Sequence, residues 1–272
     1  MKYFRFLDDF ELKIRPMNTN FLQFRMKRLF TEGFTVLDIA ETLVSFDADK
    51  DAADTKLYMS ESNLEIVGLR NKGLVAGYVK RDELTDGKCS DHMHYFDENL
   101  VLSATSSLQE VLEVLAESEY CFVSVLGKVG GIVTRYDIQK PPVRMWLFGM
   151  ITIIEMFMVR AIETQYPNDN WQVEFSKGRL NRAKEILKER KRRNQTARLI
   201  DCLQFSDKAL ILIKNSDMRE DFGFQSMRAA KNGIKNIESL RNNLAHAQDI
   251  FTHDWEAIVT MSKRLDKVMT RI

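Results

Sequence analysis

The stretch VGGIVTRYDI, residues 129–138, decides how the first half of this chain is read. A β-branched run with a glycine pair ends on Thr134-Arg135-Tyr136-Asp137, a pattern that leaves a strand and opens a helix. Just before it stand YCFVSVL, residues 120–126, and a turn at Gly127. Before those, LQEVLEVLAESE, residues 108–119, has helical spacing. Residues 101–138 therefore read as helix, strand, short turn, strand, helix start.

The same order occurs once earlier, over residues 35–84. A helical stretch precedes LEIVGL (64–69), a turn with Asn71 and Gly73, and LVAGYVKRDEL (74–84). Self-similarity of this kind marks a repeated structural unit. The polar run TDGKCSDHMHYFDENL, residues 85–100, reads as the linker between copies. Residues 1–34, rich in aromatic and basic side chains, fit neither copy and are expected to pack on the pair.

Pro141 and Pro142 are expected to break the chain after the second copy. Beyond them the pattern is helical: 143–165, 174–193, 196–214, 222–248 and 253–270, with a break expected over 215–221. Short connections between amphipathic helices imply an antiparallel bundle. The fold class is thus α+β, a β-β-α repeat over 35–140 followed by an all-α region over 143–272.

The bulk numbers agree. A chain of 272 residues holds two ordinary domains, and 44% hydrophobic with 29% charged residues is a globular composition. A net charge of +1 means that any nucleic-acid affinity must come from a local patch. Cys89, Cys121 and Cys202 form no CxxC pair, which argues against a disulfide framework and fits a reducing, cytoplasmic setting. The acidic residues in MKYFRFLDDFELK do not suit a secretory signal. The apolar run MWLFGMITIIEMFMV, residues 145–159, is short for a bilayer and contains Glu155. It is expected to be a core or dimer-interface helix, with no membrane partner.

The repeated unit ending in GIVTRYDI resembles the CBS module, two of which pack as a pair around nucleotide clefts. The resemblance covers residues 35–140. It implies that Asp137 holds ribose hydroxyls while Thr134 and the following helix N-terminus face phosphate, with Gly131 completing the motif; a helix N-terminus offers free N–H groups to an anion. The first copy departs: Lys80 stands for the threonine and Glu83 for the aspartate. The ligand implied is a regulatory adenine nucleotide: AMP, ATP or an oligoadenylate. A structural role competes, because Thr-x-x-Asp is also a capping-box pattern.

In the second half the most specific signal is Arg241-Asn242-Asn243-Leu244-Ala245-His246. On one helix Arg241 and His246 lie about 140° apart, so a tight site needs a second pair across a dimer axis. The segment resembles the R-x-x-x-x-H signature of HEPN domains. That resemblance implies a homodimeric endoribonuclease in which the ribose 2′-hydroxyl attacks the adjacent phosphate without a metal or catalytic cofactor. His246 would move protons, Arg241 would stabilise charge on the phosphate, and Asn242 would orient one or the other. Glu155 is a candidate supporting carboxylate. Arg241 and His246 read equally as surface residues of a bundle.

KGRLNRAKEILKERKRR, residues 177–193, carries nine Lys or Arg against two Glu. Its Arg182, Lys184, Lys188, Arg190, Lys191, Arg192 and Arg193 are candidate RNA contacts, or a solvated helix face. Cys89, Asp91, His92 and His94 are metal-ligand types, but they form a single cluster in a loop, so no metal is expected. No GxxxxGK[ST], HExxH or GxSxG is present, which leaves P-loop ATPase, zinc-peptidase and serine-hydrolase readings without support.

Together these readings point to a nucleotide-gated ribonuclease of the defence or toxin kind. One rival is a non-catalytic nucleotide sensor whose helical region binds a partner protein or RNA. A second is a toxin with a vestigial cleft, held by an antitoxin.

Overall fold

The computed structural model describes residues 25, 28–30, 32–221, 224–246, 249, 250, 258–260, 262 and 263. Most of the expected 1–34 extension and of the last helix, 253–270, falls outside them, as does His253.

A two-residue strand, β1 (Glu41–Thr42), precedes two α/β units. The first comprises β2 (Ser45–Asp47), α1 (Ala52–Glu61), β3 (Ile66–Asn71) and β4 (Leu74–Lys80). The second comprises β5 (Val101–Ser103), α2 (Leu108–Glu117), β6 (Tyr120–Val125) and β7 (Lys128–Thr134). In each, the first strand runs parallel to the second and the last two form an antiparallel hairpin.

The repetition extends to detail. Both hairpins turn on two residues of positive φ, Lys72-Gly73 and Leu126-Gly127. That is the turn geometry whose twist suits a two-residue hairpin. Both carry a register shift, at Leu69/Arg70 and at Val123/Ser124. The helices begin where the sequence caps them. Asp51 accepts from the Asp54 N–H at 3.0 Å, and Ser107 forms a reciprocal box with Glu110.

The boundary between copies differs from the sequence expectation. Residues 35–42, read as the start of the first copy, complete the second. β1 pairs with β7, placing Thr42 opposite Gly131, and Thr35 bridges Ser107. Val36 and Ile39 are buried in the second unit's core. The converse holds for the linker. His94 bridges Tyr78 on β4, and Cys89 is fully buried in the first unit's core. Gly77 makes this possible, because a Cβ there would lie 2.4 Å from the His94 carbonyl oxygen. The linker is therefore more than a polar loop; its few apolar side chains close the first core.

Pro141 and Pro142 start α3 (Pro141–Gln165) rather than breaking the chain. A proline in the first turn forfeits no intrahelical bond, so the ring costs nothing there. A 3₁₀ segment, Pro167–Glu174, contains Asn168 and Asp169 at positive φ and delays α4 to Lys177–Arg192. A short 3₁₀ turn at Ile200–Cys202 precedes α5 (Phe205–Lys214). The break expected over 215–221 holds a short helix, α6 (Ser216–Asp221), before α7 (Met227–Ala245).

Helices α3, α5 and α7 pack on one another. By length and mean hydropathy, 1.7, α3 is apolar enough to cross a bilayer. Here its Trp146, Leu147, Met150 and Ile154 are core residues. One hydrophobic core runs from α2, β6 and β7 through α3 into α5 and α7. The first unit keeps a separate small core around Met59, Leu69, Val79 and Leu84.

Candidate functional site

Three places carry the residues singled out in the sequence. The first follows β7. The Thr134 N–H and hydroxyl both donate to Asp137 Oδ2, at 2.6 and 2.9 Å, and Lys140 Nζ lies 2.8 Å from Asp137 Oδ1. Asp137 is buried. Lys140 also bonds the Ile39 carbonyl at 2.6 Å and the Glu41 carboxylate. Burial acts to lower the Lys140 pKa, but the hydrogen bonds to Asp137 and Glu41 outweigh it and hold the pKa above the usual lysine value. The capping geometry of Thr134 and Asp137 is thus present. Gly131 is filled on its strand side, where a Cβ would meet Val123 Cβ at 3.1 Å. The same box occurs earlier: the Thr35 N–H donates to Asp38 at 2.6 Å. The Thr35-x-x-Asp38 spacing is legible in the sequence as the same capping pattern.

The second place follows β4. Glu83 accepts from His94 Nε2 and pairs with Lys80 at 3.4 Å. The His94 hydrogen bond is the main cause that keeps the Glu83 carboxyl below the usual range. Tyr78 stacks on His94, and its hydroxyl is 3.1 Å from that of Tyr120. Burial, then the Tyr120 hydrogen bond, pushes the Tyr78 phenol up to about 12. His94, read as a linker residue with a metal-ligand side chain, was not expected at this place. It arrives because the linker folds back to pair with β4, which its polar sequence does not announce. Its neighbours do not converge with it: Cys89 Sγ bonds Thr55 at 3.2 Å, and His92 bonds the Asp86 carbonyl.

The third place is the end of α7. Arg241 Nε lies 3.9 Å from Glu155 Oε2, and Lys208 Nζ lies 2.7 Å from Glu155 Oε1. The structure therefore brings Glu155 and Arg241 together. Asn242 and His246 are exposed, and His246 is the C-cap residue of α7. Lys208 was not foreseen, yet it had a signal. It stands in the row Phe205, Lys208, Ala209, Leu212, the buried face of α5. A charge on such a face requires a partner, and Glu155 supplies it.

The basic helix α4 divides. Arg182, Lys184, Lys188 and Lys191 are exposed. Arg192 and Arg193 both pair with Glu189 at 2.8 Å, and Arg190 donates to the Asp201 carbonyl at 3.3 Å. A cleft of about 350 Å³ between Phe175, Arg179, Leu210, Lys214, Met227 and Lys231 lies at the opposite end of α7 from His246. It includes none of the residues singled out in the sequence.

No family model matches the chain, and no curated protein matches it. Its N-terminal part is similar in fold to solved CBS-domain structures. One is CBSX2 in complex with AMP, 19% identical over 39% of this chain and 93% of that one, with a TM-score of 0.35. Another is a CBS domain-containing protein of unknown function from Bacillus anthracis, 16% identical over 41% and 94%, TM-score 0.37. A third is the CBS domain of a bacterial CNNM/CorC family Mg2+ transporter in complex with ATP, 13% identical over 46% and 96%, TM-score 0.36.

Proposed function

We propose that the two N-terminal units sense an adenine nucleotide and that the helical region is a metal-independent endoribonuclease working as a homodimer. The observation that carries the reading is the end of α7. There an exposed His246 caps the helix, and Arg241 is held by Glu155 while its side chain remains 39% exposed. One carboxylate cannot use all five guanidinium donors, so the group retains donors for a phosphate.

In the reaction proposed, His246 takes the proton of the ribose 2′-hydroxyl as that oxygen attacks phosphorus. The bond to the 5′-oxygen breaks, and His246 of a second copy protonates the leaving oxygen. Arg241 stabilises the charge that builds on the phosphate, and Asn242 orients the phosphate. The exposed Arg182, Lys184, Lys188 and Lys191 attract the RNA backbone. Arg190 is held by the Asp201 carbonyl and contributes less, while Arg192 and Arg193 pair with Glu189 at the surface and remain open to the RNA backbone. In the N-terminal units, Asp137 with Thr134 and Glu83 with Lys80 are the ribose and phosphate contacts, and nucleotide exchanges with the internal bonds they now make.

The test is cleavage of mixed RNA in EDTA, with and without AMP, ATP or oligoadenylates. The wild-type chain should cut, and His246→Ala should lose ~10²–10⁴-fold in rate. Nucleotide binding without cutting under any condition would leave a non-catalytic regulator. Undiminished cutting by His246→Ala would place the chemistry elsewhere.

A further inference from the structure

The 3₁₀ turn that carries Asp137, Arg135–Gln139, ends on a residue that reaches the other candidate site. The Gln139 amide nitrogen donates to the Asp249 carboxylate. Its amide oxygen accepts from Arg144 Nη1 at 3.2 Å and from the Ile250 N–H at 3.4 Å. Arg144 Nη2 donates to the Asn243 carbonyl at 3.0 Å. Asn243 precedes His246, while Asp249 and Ile250 follow it, so two side chains hold His246 from both flanks.

Physical chemistry gives these bonds weight. The Asn243 carbonyl lies in the last turn of α7, where a cation meets the negative end of the helix dipole. At the other end, Lys140 is both the partner of Asp137 and the N-cap residue of α3, and Arg144 lies one turn further along that helix. A ribose that takes up Asp137 competes with Lys140 for the same carboxylate. Lys140 carries that side chain on the N-cap backbone of α3, so a displacement that reaches its backbone moves the first turn of α3 and with it Arg144.

We propose that Gln139 and Arg144 couple the candidate nucleotide contact at Asp137 to His246, with Arg144 a positioning residue for the RNNLAH segment. The inference rests on the nucleotide reading above and specifies its regulation. The ligand sets where Lys140 and the start of α3 sit, and the Gln139–Arg144 bridge passes that setting to both flanks of His246.

The experiment is AMP titration with hydrogen exchange followed over residues 241–250, in the full chain, in Arg144→Met and in Gln139→Ala. Wild type should bind AMP and change its exchange there on the order of 5-fold or more, a modest allosteric coupling. Arg144→Met should bind AMP within ~2-fold of wild type and lose that change. Gln139→Ala keeps the half-buried Arg144, and should lose most of the change even if Arg144→Met folds poorly. AMP binding with an undiminished exchange response in both variants would overturn the coupling alone. So would AMP binding by wild type with no response at 241–250. No AMP binding by wild type would overturn the nucleotide reading and this inference with it.

Discussion

The two α/β units share their strand order, their hairpin turns and a register shift in each hairpin, yet they stand on different foundations. In the second, α2 buries Leu108, Val111, Leu112 and Leu115 in a core that continues into the helical bundle. In the first, α1 buries only Ala52, Thr55 and Met59, over a core of its own. The charged positions diverge in parallel. Asp137 is buried and boxed by Thr134 and Lys140, whereas the Glu83 side chain is 38% exposed beside His94 and Lys80. A repeated backbone pattern can thus serve two jobs. One unit shares its core with the bundle, while the other is closed mainly by its own linker.

The largest expected effect tests the two cores. Leu112→Ala should destabilise the chain by ~2–5 kcal/mol and move one shared unfolding transition of the second unit and the bundle. Met59→Ala should cost a similar ~2–5 kcal/mol locally but leave the bundle signal in place, because its cavity opens in a separate core. Urea unfolding followed by circular dichroism and by exchange of α7 amides separates the two. A shared transition for both variants would mean that the cores act as one.

A middle effect tests the charged boxes. Asp137→Ala removes a cap and one of two carboxylate partners of Lys140, which keeps Glu41 and the Ile39 carbonyl, for a loss of ~1–2 kcal/mol. Glu83→Ala removes partners that water can replace, and should cost under ~1 kcal/mol. Equal losses in thermal unfolding would erase the contrast drawn between the units.

The smallest effect is the acid response of Glu83. Its folded pKa is held below the ordinary 4.5, chiefly by the His94 hydrogen bond. Its contribution is therefore complete above that value and lost as pH falls through the lowered one. Glu83→Gln should flatten the acid limb of the stability profile by less than ~1 kcal/mol, and leave the profile near neutrality unchanged in shape. A steepened acid limb in Glu83→Gln would reverse the sign assigned here.

Much of this was legible from the chain alone. Alternation of β-branched runs with glycine turns located β3, β4, β6 and β7, and helical spacing located α2, α3 and α7. Thr134-x-x-Asp137 announced its capping geometry in full, because both partners lie three residues apart. Lys208 was readable too, as a charge on an apolar helix face. His94 and Lys140 were harder. Lys140 is within reach of Asp137 along the chain, but its bonds to Ile39 and Glu41 depend on β1 crossing to β7.

By itself the sequence determined the periodic elements, the turns and the capped helix starts, since each depends on bonds between residues a few positions apart. Only the tertiary structure decided that residues 35–42 belong to the second unit, that His94 reaches Glu83, and that Gln139 and Arg144 grip both flanks of His246. Those pairings span from eleven to more than a hundred residues, and their energy comes from packing and pairing partners that no local window contains.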